Sequence, residues 1–134
     1  MPHLVILYTP NLDAETDMPL LCRRLADTML AASDEAGTPV FPPGGIRVLA
    51  YPAAHAAVAD GRHDYAFVYL QLRMARGRSE AVKQATGEAL SAAARAHFAP
   101  LLAQRYLGIT LQIDEGAEVF DARHSSIHPL FAKP

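Results

Sequence analysis

Tyr65-Ala-Phe-Val-Tyr-Leu-Gln-Leu-Arg-Met74, running into Ala75-Arg-Gly-Arg-Ser79, decides the fold. Its first ten residues alternate: Tyr65, Phe67, Tyr69, Gln71 and Arg73 line one face, and Ala66, Val68, Leu70, Leu72 and Met74 the other. That period of two predicts a strand with one wholly apolar face. Arg76-Gly77-Arg78 then makes a tight connector, and Ser79 is an N-cap for a long helix. Val82, Ala85, Ala89, Ala92 and Ala96 form that helix's expected apolar stripe, with Leu90 and Ala93 beside it. Pro100 is expected to kink or end the helix, because it cannot donate to the carbonyl of Ala96.

Outward from this core the pattern repeats. His3-Leu-Val-Ile-Leu-Tyr8 reads as a strand, and Asp17 with Pro19 marks a helix start. Leu21, Leu25, Met29 and Ala32 make its stripe. Ser33 to Gly45 is a proline- and glycine-rich loop, and Ile46 to Tyr51 is a further strand. Asp60-Gly61 is a turn. After the second helix, Leu107, Ile109, Leu111 and Ile113 alternate with Gly108, Thr110, Gln112 and Asp114 as a fourth strand. Val119 to Phe131 reads as an arm or small hairpin. The order is β-α-β followed by β-α-β, with helix starts about sixty residues apart. The expected fold is α+β: one domain over residues 1–134 with halves of about 1–58 and 59–134, forming a four-stranded mixed sheet with both helices on one face. Two helices leave the other face uncovered, and oligomerisation is the natural cover.

The 134 residues are 51% hydrophobic and 19% charged, a globular balance, with a net charge of −2 that disfavours nucleic acid and membrane surfaces as partners. Cys22 is the only cysteine, so no internal disulfide forms, and a reducing cytoplasmic location is expected. Apolar runs are far too short to span a bilayer, and the N-terminal segment does not read as a signal peptide.

Three residue groups can carry chemistry. Removal of Met1 would leave Pro2 as a free secondary amine, and burial or nearby cations would lower its pKa toward that of a general base near neutral pH. Arg78 stands at a helix N-terminus beside Gly77, a setting that favours anions, and its guanidinium can fork a carboxylate. Its other reading is a solvated loop arginine, and Arg76 shares its context. Arg47 and Arg73 lie within strands, either solvated or buried with a partner. His124 and His128 are four apart, but Ser125, Ser126 and Pro129 argue against a helix there. No metal site is expected.

Met-Pro-His-Leu-Val-Ile at the start, Gly45-Ile-Arg47, Ala59-Asp-Gly-Arg-His-Asp-Tyr-Ala-Phe-Val68, Gly77-Arg-Ser79 and Ser126-Ile-His-Pro-Leu-Phe131 together resemble the 5-carboxymethyl-2-hydroxymuconate isomerases of the tautomerase superfamily. The Gly-Arg-Ser junction also resembles the small 4-oxalocrotonate tautomerase. The resemblance implies a homotrimer of β-α-β repeats. It implies a cofactor-free isomerase acting on a carboxylate-bearing dienol in homoprotocatechuate breakdown. Pro2 would be the base, and Arg47 and Arg78 would hold the substrate's carboxylates. The alternative is a trimeric ligand-binding or structural protein that kept the fold without the chemistry.

Overall fold

The computed structural model describes residues 2–131. Four strands and two helices follow in the order β1 (His3–Tyr8), α1 (Met18–Ala31), β2 (Arg47–Pro52), β3 (Ala66–Ala75), α2 (Glu80–Gln104) and β4 (Leu107–Gly116). The sheet order is β2-β1-β3-β4. β1 pairs with β2 and β3 with β4 in parallel, while β1 and β3 run antiparallel at the centre. Each half is therefore a β-α-β unit whose helix carries the chain between parallel neighbours.

Alternation sets the core. Leu4, Ile6 and Tyr8 of β1 and Ala66, Val68, Leu70, Leu72 and Met74 of β3 are buried on one face of the sheet. α1 starts where the Asp17 carboxylate accepts the Leu20 N–H at 2.9 Å, with Pro19 in its first turn. It buries Met18, Leu21, Leu25 and Met29.

The second helix corrects two expectations. Its buried stripe is Val82, Thr86, Leu90, Ala94 and Phe98, whereas Ala85, Ala89, Ala92 and Ala96 are exposed. Alanine removes little apolar area from water, so the face is chosen by the bulky Leu90 and Phe98, even at the cost of enclosing the Thr86 hydroxyl. Nor does Pro100 end the helix, which continues to Gln104. Ala96 and Pro100 both lie on the solvent side, so water can bond the carbonyl that the ring cannot.

The helix start does follow the sequence: Ser79 Oγ accepts the Val82 N–H at 3.2 Å. Replacing Ser79 by alanine should cost about 1 kcal/mol, and by glycine only a few tenths, because glycine restores access of water to the orphan amides. Urea denaturation of the two variants measures this directly.

The segment 119–131 is an arm without a hairpin. It ends in a 3-10 turn, His128–Phe131, packed on another at Pro43–Gly45. The far face of the sheet carries apolar side chains without cover: Leu7 is 47% exposed, Leu49 43% and Tyr51 49%.

Candidate active site

The pairing registers bring four strand ends together. His3 sits opposite both Arg47 of β2 and Arg73 of β3, and Arg73 sits opposite Asp114 of β4. One end of the sheet therefore holds the starts of β1 and β2 and the finishes of β3 and β4. Pro2 precedes β1 there and is buried, in phase with Leu4 and Ile6 on the helix-covered face. The Gly77-Arg78-Ser79 connector leaves β3 at the same end, and Gly77 turns the chain with φ 115°, a backbone setting that disfavours side chains.

Arg78 is half-buried rather than solvated. It donates from Nη1 to the Ala75 carbonyl at 3.0 Å and from Nη2 to the Val40 carbonyl at 2.7 Å. Its guanidinium carbon lies 5.4 Å from the centre of the Phe41 ring, a cation–π arrangement that holds its plane. Arg47 is also half-buried, and Nη1 donates to the carbonyls of Gly44 at 2.7 Å and Ile46 at 3.0 Å. Among the described residues, neither arginine is paired with a carboxylate. Carbonyl dipoles fix both side chains but leave their charges without a counter-ion, and the spare N–H groups of each fork can take an anion. Arg73 and Arg76 are exposed.

The 3-10 turn at His128 roofs this end. A Cβ on Gly44 would fall 2.8 Å from the His128 Cα, so only glycine admits the turn there. A Cβ on Gly45 would stand 3.4 Å from His128 Nε2 and 3.5 Å from Pro2 Cδ. Pro2, Gly45 and His128 thus share one wall. Partial burial depresses the pKa of both His3 and His128, and the positive charge of Arg47 adds to the shift at each.

Two hollows differ in charge. One of about 650 Å³ lies between α1 and β2, with Arg47, Cys22, Leu30, Ile46 and Phe131 in its wall. The other, about 700 Å³ along α2 and β4, presents Glu80, Glu88, Asp114 and Glu115, and its Lys83 is already bonded to Glu80 and Glu115. An acidic ligand would be repelled from the second and attracted to the first.

Of the residues singled out in the sequence, Pro2 lies against Gly45, Arg47 bonds the carbonyl of the neighbouring Gly44, and Arg78 lies at the same sheet end on the β3–α2 side. Met1 lies outside the described residues. In the sequence His128 stands out only as a metal-ligand candidate and as part of the Ser126–Phe131 segment, because no spacing rule links it to Gly45 or Pro2. No three metal-ligating side chains cluster among the described residues, and no described helix is long and apolar enough to cross a membrane.

Comparison with known proteins adds the context. The family profile described as 5-carboxymethyl-2-hydroxymuconate isomerase matches residues 2–131. A 5-carboxymethyl-2-hydroxymuconate Delta-isomerase of Escherichia coli is 33% identical over 131 residues, 98% of this chain and 99% of that protein. A crystal structure of a 5-carboxymethyl-2-hydroxymuconate delta-isomerase is 57% identical with a TM-score of 0.96, covering 100% of this chain and 95% of the other. The 5-carboxymethyl-2-hydroxymuconate isomerase from Deinococcus radiodurans R1 is 41% identical with a TM-score of 0.88, covering 98% and 95%. The fold alone extends further, to a fused 4-OT described as a symmetric trimer, at 15% identity and a TM-score of 0.58, covering 84% of this chain and 85% of that one.

Proposed function

The chain belongs to the 5-carboxymethyl-2-hydroxymuconate isomerase family, and on that premise we propose that it is a cofactor-independent isomerase that moves a proton along a carboxylate-bearing dienol, with Pro2 as its base. The observation that carries this reading is two arginines that no carboxylate among the described residues pairs with, at the sheet end that buries Pro2. The relatives' activity weighs against the inert, structural alternative.

The reaction asks for two things. A base must take the proton from the enol hydroxyl and return it to a carbon further along the conjugated chain, so that no atom is gained or lost. Cations must hold the carboxylates and damp the negative charge that spreads over the dienolate between those two transfers. After removal of Met1, the Pro2 nitrogen is a secondary amine that can do the first. Arg47 and Arg78 do the second, and carbonyl bonds already fix their forks, so little reorganisation accompanies binding. Partly excluding water strengthens both effects.

The working assembly in this reading is a homotrimer of a single two-half domain. Leu7, Leu49 and Tyr51 supply apolar area that two helices cannot reach, and the fold is shared with a fused 4-OT trimer. Light scattering at micromolar concentration should give three times the chain mass, and a monomer would reject the assembly. The substrate is small and acidic, nucleic acid plays no part, and the protein works in the cytoplasm.

The experiment that tests the function is an absorbance assay of 5-carboxymethyl-2-hydroxymuconate with protein whose mass confirms that it begins at Pro2. Loss of the dienol chromophore, at a rate proportional to protein concentration, is expected. No conversion above the spontaneous rate would return the inert alternative.

A further inference from the structure

Two point contacts hold the Arg78 guanidinium and leave it one freedom. Nη1 bonds the Ala75 carbonyl at 3.0 Å, and Nη2 bonds the Val40 carbonyl at 2.7 Å. These bonds set where the fork sits. Carbonyl oxygens accept over a broad range of angles, so the two bonds alone still let the fork tilt about the line joining the oxygens. A carboxylate that takes two parallel N–H bonds needs the fork in its own plane, so the tilt bears directly on binding.

Phe41 makes the contact that removes the tilt. The guanidinium carbon lies over its ring, 5.4 Å from the centre. The negative face of the ring attracts a cation lying over it, and the attraction grows as water is excluded. The ring cannot follow a tilting partner, because Phe41 is fully buried in the core. Its loop is pinned on both sides as well. The Val40 N–H donates to the Ala32 carbonyl at 2.9 Å, Pro42 and Pro43 restrict the chain beyond the ring, and the Gly45 N–H donates to the Pro42 carbonyl at 2.9 Å. The ring takes none of the five guanidinium N–H groups. Two are spent on carbonyls, and three stay available to an anion. The same loop supplies the Gly44 and Ile46 carbonyls that tie Arg47, so one stretch of chain frames both arginines.

Resting on the reading of Arg78 as a carboxylate-binding group, we propose that Phe41 is a positioning residue for the isomerase, setting the plane in which Arg78 meets the substrate. It touches no substrate atom and acts only through the guanidinium. An aliphatic side chain at this place fills the core but has no negative face for the cation. It would leave Arg78 its charge and its carbonyl bonds and release its plane, so the fork would have to be ordered again with each binding event.

The test uses protein that begins at Pro2, in a double-mutant cycle of Phe41→Leu with Arg78→Met. Phe41→Leu should lower kcat/KM about fivefold in the parent and less than about twofold in the Arg78→Met background, where the cation is gone. Equal losses in both backgrounds, or no loss in the parent, would mean that the ring only fills the core, and would overturn the proposal. If Phe41→Leu does not fold, 3,4,5-trifluorophenylalanine placed at position 41 nearly preserves the ring's shape and weakens its negative face. It should lower kcat/KM about threefold, and an unchanged rate would overturn the proposal. A measurement without substrate separates this from failure of the isomerase reading. The Arg78 Nη–H signals, read by ¹⁵N NMR, should be resolved in the parent, where rotation is hindered, and averaged in the variant. If the parent does not isomerise the dienol, that difference still supports the positioning role and places the fault with the assigned reaction. Signals alike in the two proteins would overturn the positioning role itself.

Discussion

Arg78→Ala should lower kcat/KM by about 10- to 150-fold, corresponding to the loss of roughly 1.5–3 kcal/mol for a charge-assisted contact to a carboxylate. The contact is proposed, and its energetic setting is what makes the effect large. Arg78 is half-buried, stacked on Phe41 and tied to two carbonyls, yet no acid among the described residues neutralises it. An anion arriving there meets a cation that is already oriented and partly desolvated. The same ties mean that the alanine variant also strands the carbonyls of Ala75 and Val40, so some stability is lost as well. Arg78→Lys separates the two effects. Its ammonium keeps the charge but cannot hold the two carbonyls and fork a carboxylate together, so it should recover only part of the rate. Steady-state kinetics, with urea denaturation run in parallel, distinguishes weak substrate binding from partial unfolding. Wild-type kinetics in Arg78→Ala would reduce Arg78 to a structural clamp between β3 and the loop at Val40.

A larger effect is expected at the amino terminus. Protein that begins at Met1 should isomerise the dienol about 10²- to 10⁴-fold more slowly than protein that begins at Pro2, the usual contribution of a positioned general base. With Met1 attached, the Pro2 nitrogen is an amide, with its lone pair delocalised into the carbonyl, and it does not bind a proton at any working pH. Pro2→Ala on a processed chain keeps a primary amine in a less constrained geometry, and should fall between the two. Folding should be the same in all three, because the β1 ladder starts at His3. Rates of preparations whose N-termini are verified by mass provide the comparison, and circular dichroism checks the fold.

What the sequence could and could not convey follows from the range of the interactions involved. The ten-residue alternation of β3 and the Leu21-Leu25-Met29 stripe of α1 are local patterns, and the structure buries those very side chains. In α2 the pattern was degenerate. With alanines on several faces, periodicity alone could not choose among them, and the choice fell to Leu90 and Phe98 packing on the sheet. Pro100 does not end α2: Ala96 and Pro100 are both solvent-exposed, so water can reach the carbonyl that loses its partner. Arg78 stands at the strand–glycine–helix junction that the sequence marks, and that this junction shares a sheet end with Pro2 and Arg47 rests on strand register, which a single sequence does not reveal. His128 reaches Gly45 and Pro2 across more than eighty residues of chain, through two glycines whose purpose is visible only when the turn sits on them.

The most direct measurement of the central claim is the titration of the Pro2 nitrogen itself, by ¹⁵N-proline labelling of the processed protein, set beside the pH dependence of kcat/KM. Pro2 is buried, and in the proposed reading burial disfavours the ammonium form of its freed nitrogen. The account predicts a single pKa below the ordinary α-amino value of about 7.7–8.0, with kcat/KM rising as pH increases through that same value, because the deprotonated amine is the active form. A nitrogen that titrates at its ordinary value while the rate rises elsewhere, or does not change with pH, would contradict it.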